Sequence, residues 1–493
     1  MTPESILVPG NTCRQTSRAD RLSVIVDAAD YFAHAKSALM QAQHRAILVG
    51  WDFDTRIELA PGNSAPDVPD ELGELFGWLT KNRPELEIFV LRWSLGALTG
   101  IARGMLPPVV QDLVSGRRIH YRVDAAHPIS AAHHQKIAVI DDKIAFCGGI
   151  DMTVGRWDTS DHATSNEYRV TPTGAPYGPW HDVTLALDGE AAQAIAHVAY
   201  DRWEAATGSR LAPISPDPAP IWPDELEPMF TGATVGVSRT LPAYNDREGV
   251  DEIRRLYLAA IAAVRDALYI ESQYLASRAI ADALISRLTE PTGPEIIVVM
   301  PRHADGDIER RSMDGARYRL LRLIWDADIH DRFRIFYPVT ADDEPIYVHA
   351  KVLIADDRVL RVGSSNLNNR SLGFDSECDV TIDAVDNDGQ SASVRSTISA
   401  VRTRLIAEHL NVDAAEFDAT VAEQGSLVGA IDRHRGSGRT LKPFTRVNTA
   451  GEDSPLADVD FVDPENVDAI RFDRLYRAII RRTVRGVRSV LPF

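Results

Sequence analysis

Apolar positions in this chain fall into short dense runs separated by amphipathic stretches. Residues 28–43 (AADYFAHAKSALMQAQ) can place apolar side chains on one helical face, and the next run, RAILVGW, predicts a strand at Ala46–Gly50. A helix follows over Asp70–Lys81. Strands follow at Leu86–Trp93, at Arg118–Val123, within HHQKIAVIDD (His133–Asp142), and at IAFCGG and Val183–Leu187. GEAAQAIAHVAYDRWEAATG, Gly189–Gly208, predicts a long helix ending at glycine. Residues 1–23 show no such pattern and suggest an irregular arm.

The texture changes at RLAPISPDPAPIWPDELEP, which holds six prolines between Arg210 and Pro228. Proline lacks the N–H that helices and central strands need, so residues 210–232 are expected to be a connector. After it the order begins again: a helix over Gly249–Ala267, then LYIESQYL, EIIVVMPR, RFRIFYPV, VHAKVLIADD, VLRVGSSN and CDVTID as strands, and a closing helix at Ser391–Leu410. RAILVGWDF lies over DALYIESQY at an offset of 221, RIHYRV over RIFYPV at 216, and HHQKIAVIDD over VHAKVLIADD at 215. Offsets this steady indicate an internal duplication. The expected fold is α/β: two similar halves, 24–209 and 233–412, each a mixed sheet flanked by helices. They pack face to face with one active site at their interface. Residues 413–493 form an extension ending in RFDRLYRAIIRRTVRGVRSV, Arg471–Val490, a basic helix with seven arginines.

The chemistry sits in the repeated strand. Lysine is scarce, 6 of 53 basic residues, yet one stands two places after a histidine in each copy: His134 with Lys136, and His349 with Lys351. Alternation along a strand puts both on one face. A lysine on an otherwise apolar strand is costly unless an anion or partner meets it. Gly148 and Gly363 follow at matching distances and suit close backbone approach to a ligand. Ser364 and Asn366 can donate to anionic oxygens; Asp151 replaces Asn366 in the first copy. Two imidazoles and two ammonium groups suit phosphoryl transfer. One imidazole attacks phosphorus, the other handles protons, and the lysines offset growing charge, so neither metal nor cofactor is required. Asp182 in PWHDV and Glu377 in DSECDV are candidate orienters of the rings. His133 faces away from His134 and is expected in the core. His120, His127 and His133 lack the spacing of a metal site.

HxKxxxxD followed by GG or GS, present twice, resembles the signature of the phospholipase D superfamily. GGIDMTVGRWD, PWHDV, YIESQYL and NNRSLGFDSE make the chain most like the eukaryotic-type members and their bacterial relatives, over about 24–412. The resemblance implies a catalytic set of His134, Lys136, Asp141, His349, Lys351 and Asp356, with His134 as nucleophile and His349 as general acid and base. The two aspartates are expected to hold turns beyond the reactive pair. It also implies phosphate binding by Asn366, Ser364, Gly148 and Gly363, support from Asp182, Glu377 and Glu271, and a pocket organised by Arg156, Arg370 and Asp151.

The implied activity is hydrolysis of a glycerophospholipid at a membrane surface to phosphatidate and headgroup, with water or an alcohol as acceptor and a monomer as the working unit. Three alternatives stay open: a cardiolipin-synthase-like transferase, a nuclease or other phosphodiesterase, and a non-catalytic lipid-binding protein. Charge bears on the nuclease reading. There are 53 Lys and Arg against 71 Asp and Glu, a formal net charge of −18, so no nucleic-acid partner is expected. The three cysteines are too few and scattered for a disulfide framework. No run reaches the length of a membrane span or a signal peptide. A cytoplasmic or membrane-peripheral location is expected, with export lacking a cleavable signal as an alternative. No PX, PH or C2 domain has room before residue 24, so calcium or phosphoinositide targeting is not expected. Headgroup choice is assigned to the loops Ser94–Ser115 and Asp305–Asp331.

Overall fold

The computed structural model describes residues 4–63, 67–94, 116–128, 131–306, 313–387, 389–447, 449 and 463. The loop expected at Ser94–Ser115, beyond Ser94 itself, and the basic helix expected at Arg471–Val490 lie outside the described residues.

The first half contains β1 (Gln15–Val26), helix Ala28–Gln41, β2 (Arg45–Gly50), helix Leu72–Asn82, β3 (Glu87–Trp93), β4 (Ile119–Asp124), β5 (Ile137–Ile140), β6 (Ile144–Gly148), β7 (Trp180–His181), β8 (Val183–Asp188) and helix Gly189–Thr207. No helix or strand lies between Thr207 and Phe230. The second half opens with β9 (Phe230–Leu241), β10 (Val250–Asp251), helix Glu252–Ala263, β11 (Ala267–Glu271), helix Arg278–Leu288, β12 (Glu295–Val299) and helix Gly315–Ala327. It continues through β13 (Phe333–Val339), β14 (Tyr347–Val348), β15 (Val352–Ala355), β16 (Val359–Gly363), helix Asn369–Gly373, β17 (Glu377–Asp383) and helix Ser391–Leu410. Helices Ala414–Gln424 and Leu427–His434 and strand β18 (Thr440–Pro443) follow.

One sheet runs through both halves in the order β18-β13-β12-β11-β15-β16-β17-β9-β1-β8-β6-β5-β2-β3-β4. Apart from β18, the order reads the same outward from the β1–β9 pair, as a duplicated unit requires. In each half three neighbouring strands are parallel (β2, β3, β4 and β11, β12, β13), and the rest pair antiparallel. β1 and β9 join antiparallel from Gln15↔Val237 to Leu22↔Phe230.

β6 and β16 stand five places apart along this sheet, about 24 Å if it were flat. They nevertheless touch, as do β17 and β6. The sheet therefore doubles back and its halves meet face to face. Val139, Cys147 and Leu185 share one core with Val352, Val362 and Val380, and Cys147 Sγ donates to the carbonyl of Cys378 across the seam. The three cysteines are buried and unbridged.

Two expectations need correction. Residues 15–23 are not an irregular arm but most of β1, whose buried positions there include Ser17 and Ala19. Small side chains fill that face over residues 15–21, so this part of the strand lacks the apolar signature that Leu22–Val26 carries. Asp305–Asp331 is not wholly loop: GARYRLLRLIWDA forms a helix that buries Tyr318, Leu320, Leu321 and Ile324 and interleaves arginines. The C-terminal extension adds β18 to the second half's sheet beside β13.

Candidate active site

The histidine and lysine of each repeat stand just before the strand rather than inside it. Only Ile137–Ile140 and Val352–Ala355 are laddered. Upstream, each segment leaves its own half of the sheet and pairs with the other half. The amide of His134 donates to the carbonyl of Ser376 at 2.9 Å, and that of His349 donates to the carbonyl of His181 at 2.8 Å. The two-residue strand β14 pairs with β7 in the same way. These crossings bring each motif to the residue just ahead of the opposite half's Glu377 or Asp182.

The orienting carboxylates are consequently exchanged between halves. His134 Nδ1 lies 3.0 Å from both oxygens of Glu377, and His349 Nδ1 lies 2.6 Å from Asp182 Oδ2. Nδ1–H donation to a carboxylate fixes the tautomer and leaves Nε2 as the free lone pair. Glu377 also accepts from the hydroxyls of Ser364 and Ser371. Asp182 is braced differently: its carbonyl accepts from the Asp27 amide at 2.8 Å, and its own amide donates to Asp27 Oδ1 at 3.2 Å. Asp27 has φ +67°, a region that costs a non-glycine residue about 1–3 kcal/mol.

Both lysines are buried and fold back onto their histidines. Lys136 Nζ donates to the His134 carbonyl at 3.0 Å and pairs with Asp151 Oδ2 at 3.1 Å. Lys351 Nζ donates to the His349 carbonyl, and among the described residues it has no carboxylate in ion-pair range. Burial pushes Lys351 down to about 7, opposed by Asp182 and reinforced by Lys136. Burial likewise pushes Glu377 up to about 8 and Asp182 up to about 6, against Lys136 and Lys351 respectively. Both imidazoles sit well below the usual histidine range. Burial is the main cause, followed by Lys136 and Lys351 for His134, and by Lys351 and Arg156 for His349. Each ring feels both lysines, so the two motifs share one electrostatic site.

Other expected residues take up distinct places. Asp141 accepts from the amides of Gln43, His44 and Arg45, and Asp356 from those of Arg265, Asp266 and Ala267. Their carboxylates are committed to turns, which corrects their inclusion in the catalytic set. A Cβ on Gly148 would stand 2.4 Å from Thr184 Cα, and one on Gly363 would stand 2.0 Å from Asp379 Oδ1. Those glycines clear room for β8 and β17, so the close approach is to protein rather than to ligand. The Ser364 hydroxyl serves Glu377, which corrects its assignment to phosphate. Asn366 Nδ2 donates to Gln273 Oε1 at 3.4 Å, while its buried Oδ1 has no hydrogen-bond partner among the described residues. Arg156 lies 4.2 Å over Trp180, beside His349 and Asp182. Arg370 holds Asp375, whose carboxylate also accepts from the amide of Ala132 in the first half. His133 is fully buried with Nδ1 2.8 Å from Ser376 Oγ, away from the reactive rings.

The strand pattern gave no sign of the aromatic wall of the site. Trp180 stacks on Tyr347 with centroids 4.5 Å apart and tilts against His349 at 5.2 Å. Trp180 belongs to PWHDV, and Tyr347 precedes the second motif, so motif position was the available signal. Ser371, within NNRSLG, went unnoticed for the same reason: a hydroxyl's target is not written in spacing. Glu271 lies apart from the rings. It binds His181 at 2.9 Å and His409 at 3.1 Å, and these hold its carboxyl below the usual range against burial.

Residues 109–218 match the family described as "Phospholipase D", and residues 257–393 match the one described as "Cardiolipin synthase, PLD-like domain". The chain belongs to the phospholipase D superfamily. Its two matched segments carry the two motifs whose histidines share the site. Among relatives in this superfamily, Phospholipase D A of Dictyostelium discoideum is 27% identical over 472 residues, covering 80% of this chain and 36% of that protein. Phospholipase D1 of Saccharomyces cerevisiae is 25% identical over 442 residues, covering 71% of this chain and 26% of that protein. The chain thus spans about a third or less of the length of these relatives. The crystal structure of phosphatidylserine synthase from Haemophilus influenzae Rd KW20 superimposes with a TM-score of 0.53 at 13% identity. The match covers 78% of this chain and 86% of that one, and it shows the same fold.

Proposed function

We propose that this chain is a phospholipase D that cleaves the headgroup-side phosphodiester of glycerophospholipids through a phosphohistidine. The observation that carries the reading is the exchanged pair of buried His–carboxylate couples, with a lysine of each repeat at the same site. His134 Nε2 attacks phosphorus while the P–O bond to the headgroup breaks, and His349, which enters this step as the imidazolium with a second proton on Nε2, gives that proton to the departing alkoxide. His349 then takes a proton from water as the water oxygen attacks phosphorus, which releases phosphatidate and restores His134. Lys136, Lys351 and Asn366 stabilise the negative charge on the equatorial oxygens. Glu377 and Asp182 hold the imidazolium forms, and Arg156, Arg370, Asp151 and Glu271 keep the surrounding groups in place. No step calls on a metal or organic cofactor. The protein works as a monomer at a membrane surface; among the described residues no helix is long and apolar enough to cross a membrane.

A second reading keeps the same covalent step and passes the phosphatidyl group to an alcohol in place of water. The family description matched by 257–393 and the synthase that shares the fold favour it. Mixed vesicles of phosphatidylcholine, phosphatidylethanolamine and phosphatidylglycerol, incubated with a primary alcohol, separate the two. Phosphatidate with free headgroup indicates hydrolysis, the phosphatidyl-alcohol indicates transfer, and cardiolipin indicates a synthase. His134→Ala and His349→Ala should each lower turnover by about 10³-fold or more while leaving the fold intact. Appreciable turnover in both variants would rule out the paired-histidine mechanism.

A further inference from the structure

Behind Asp182, and separate from the reacting rings, lies a second group of imidazoles and carboxylates with no part in the steps above. Asp27 precedes helix Ala28–Gln41, His162 lies in the loop after β6, His181 is in β7, and Glu408 comes from helix Ser391–Leu410 of the other half. Candidate ligand atoms of all four lie within 4.8 Å of one another. Two ring nitrogens face two carboxylates. His162 Nε2 is 3.5 Å from Asp27 Oδ2 and 3.4 Å from Glu408 Oε1, and His181 Nδ1 is 3.3 Å from Asp27 Oδ1 and 3.0 Å from Glu408 Oε1.

With Asp27 Oδ2 as its one donor atom, the 3.5 and 3.4 Å separations from His162 Nε2 have the size of a tetrahedron's edges, and the His181–Glu408 separation of 3.0 Å is somewhat shorter. Ligands about 2.0–2.1 Å from a four-coordinate ion stand about 3.4 Å from each other. Direct charge-assisted N–H···O bonds favour about 2.7–2.9 Å, and one N–H cannot serve two carboxylates equally well. Asp27 is 1% exposed, yet its Oδ2, facing His162, is buried without a hydrogen-bond partner.

The remaining ring nitrogens are arranged as an outer shell would require. His162 Nδ1 lies 3.0 Å from Asp158 Oδ2, itself paired with Arg169, and His181 Nε2 lies 2.9 Å from Glu271 Oε2. An N–H held by a carboxylate turns the opposite nitrogen's lone pair inward and raises its basicity toward a metal.

We propose that Asp27, His162, His181 and Glu408 bind one divalent transition-metal ion of the zinc class, tetrahedrally, as a structural clamp between the halves. Two imidazoles with two carboxylates match zinc's preference for nitrogen and oxygen donors. The ion ties three segments of the first half to a helix of the second. Through the paired Asp27–Asp182 amide contacts it holds the carboxylate that orients His349. It stays outside the phosphoryl-transfer chemistry, and the proposal does not depend on which phosphodiester is cleaved. The competing arrangement has no ion: a proton on each imidazole supplies the same two positive charges.

The untagged full chain distinguishes these. After saturation with zinc and dialysis against a weak chelator at neutral pH, elemental analysis should find about one equivalent of zinc per chain. Replacement by cobalt should give the intense visible bands of four-coordinate cobalt, and zinc should raise the melting temperature by several degrees. Glu408→Gln and His162→Gln should each weaken zinc binding by at least about 10- to 100-fold. A wild-type chain that retains less than about a tenth of an equivalent and melts unchanged with zinc overturns the clamp, whether or not the variants fold. Stoichiometric zinc that both folded variants retain unchanged overturns it too, because the ion then sits elsewhere.

Discussion

The two repeats place the same pair, histidine and lysine, in surroundings that differ. Lys136 meets Asp151 at 3.1 Å, whereas Asn366 stands at the matching place of the second copy and Lys351 has no ion-pair partner among the described residues. The first ammonium is neutralised by the protein. The second is buried, pushed down to about 7, and left for an anion to stabilise. The carboxylates behind the rings differ as well. Glu377 is braced by two serine hydroxyls, and Asp182 by the backbone and side chain of Asp27. A duplicated scaffold has thus kept its geometry while its halves diverged in charge.

The largest expected effect lies in what the halves still share. Glu377→Gln and Asp182→Asn each remove a carboxylate that fixes a ring's tautomer, so each should lower kcat/KM by roughly 10²–10⁴-fold with the fold kept. Steady-state kinetics on a single phospholipid checks this. If either variant stays within about threefold of wild type, the rings do not depend equally on their exchanged partners.

The difference between the lysines is sharpened by Asn366→Asp, which gives the second copy the first copy's carboxylate. Kcat/KM should fall about 10-fold or more, because the substrate anion then competes with a fixed one. The pH profile should move too. Lys351 is protonated below about 7 and neutral above it, so wild-type kcat/KM should decline as pH rises through that value. A carboxylate beside Nζ favours the charged form, and the alkaline limb should shift upward in the variant. An unmoved limb would show that Lys351 is not the group titrating there.

Smallest in its effect on chemistry is the change at Asp141 or Asp356 to Asn. Each carboxylate accepts three backbone amides, and the amide side chain retains only one accepting oxygen. A loss of about 1–3 kcal/mol in denaturant unfolding is expected, with kcat per folded molecule within a few fold. A large loss of kcat without loss of stability would return these residues to the reacting set.

Much of the architecture was legible along the chain. The offset of 215 between motifs and the matching runs around them correspond to a sheet order that mirrors itself about β1 and β9. Apolar runs marked β2, β3, β11 and β12 because those strands are covered on both faces. The first part of β1 has no such mark, because Ser17 and Ala19 bury without being markedly apolar. The motif histidines were placed inside a strand because alternation continues through them; the crossing hydrogen bonds to Ser376 and His181 that lift them out of the ladder have no local signature.

The sequence by itself determined the repeat, the strand cores and the residue types able to move a phosphoryl group, because those follow from spacing and side-chain chemistry over a few neighbouring residues. Only the tertiary structure decided which carboxylate serves which ring. His134 reaches 243 residues onward to Glu377, and His349 reaches 167 back to Asp182. The clustering of Asp27, His162, His181 and Glu408 was decided there too. Partners so distant are chosen by how a doubled-back sheet brings its halves together, and periodicity along one strand carries no information about the strand it will face.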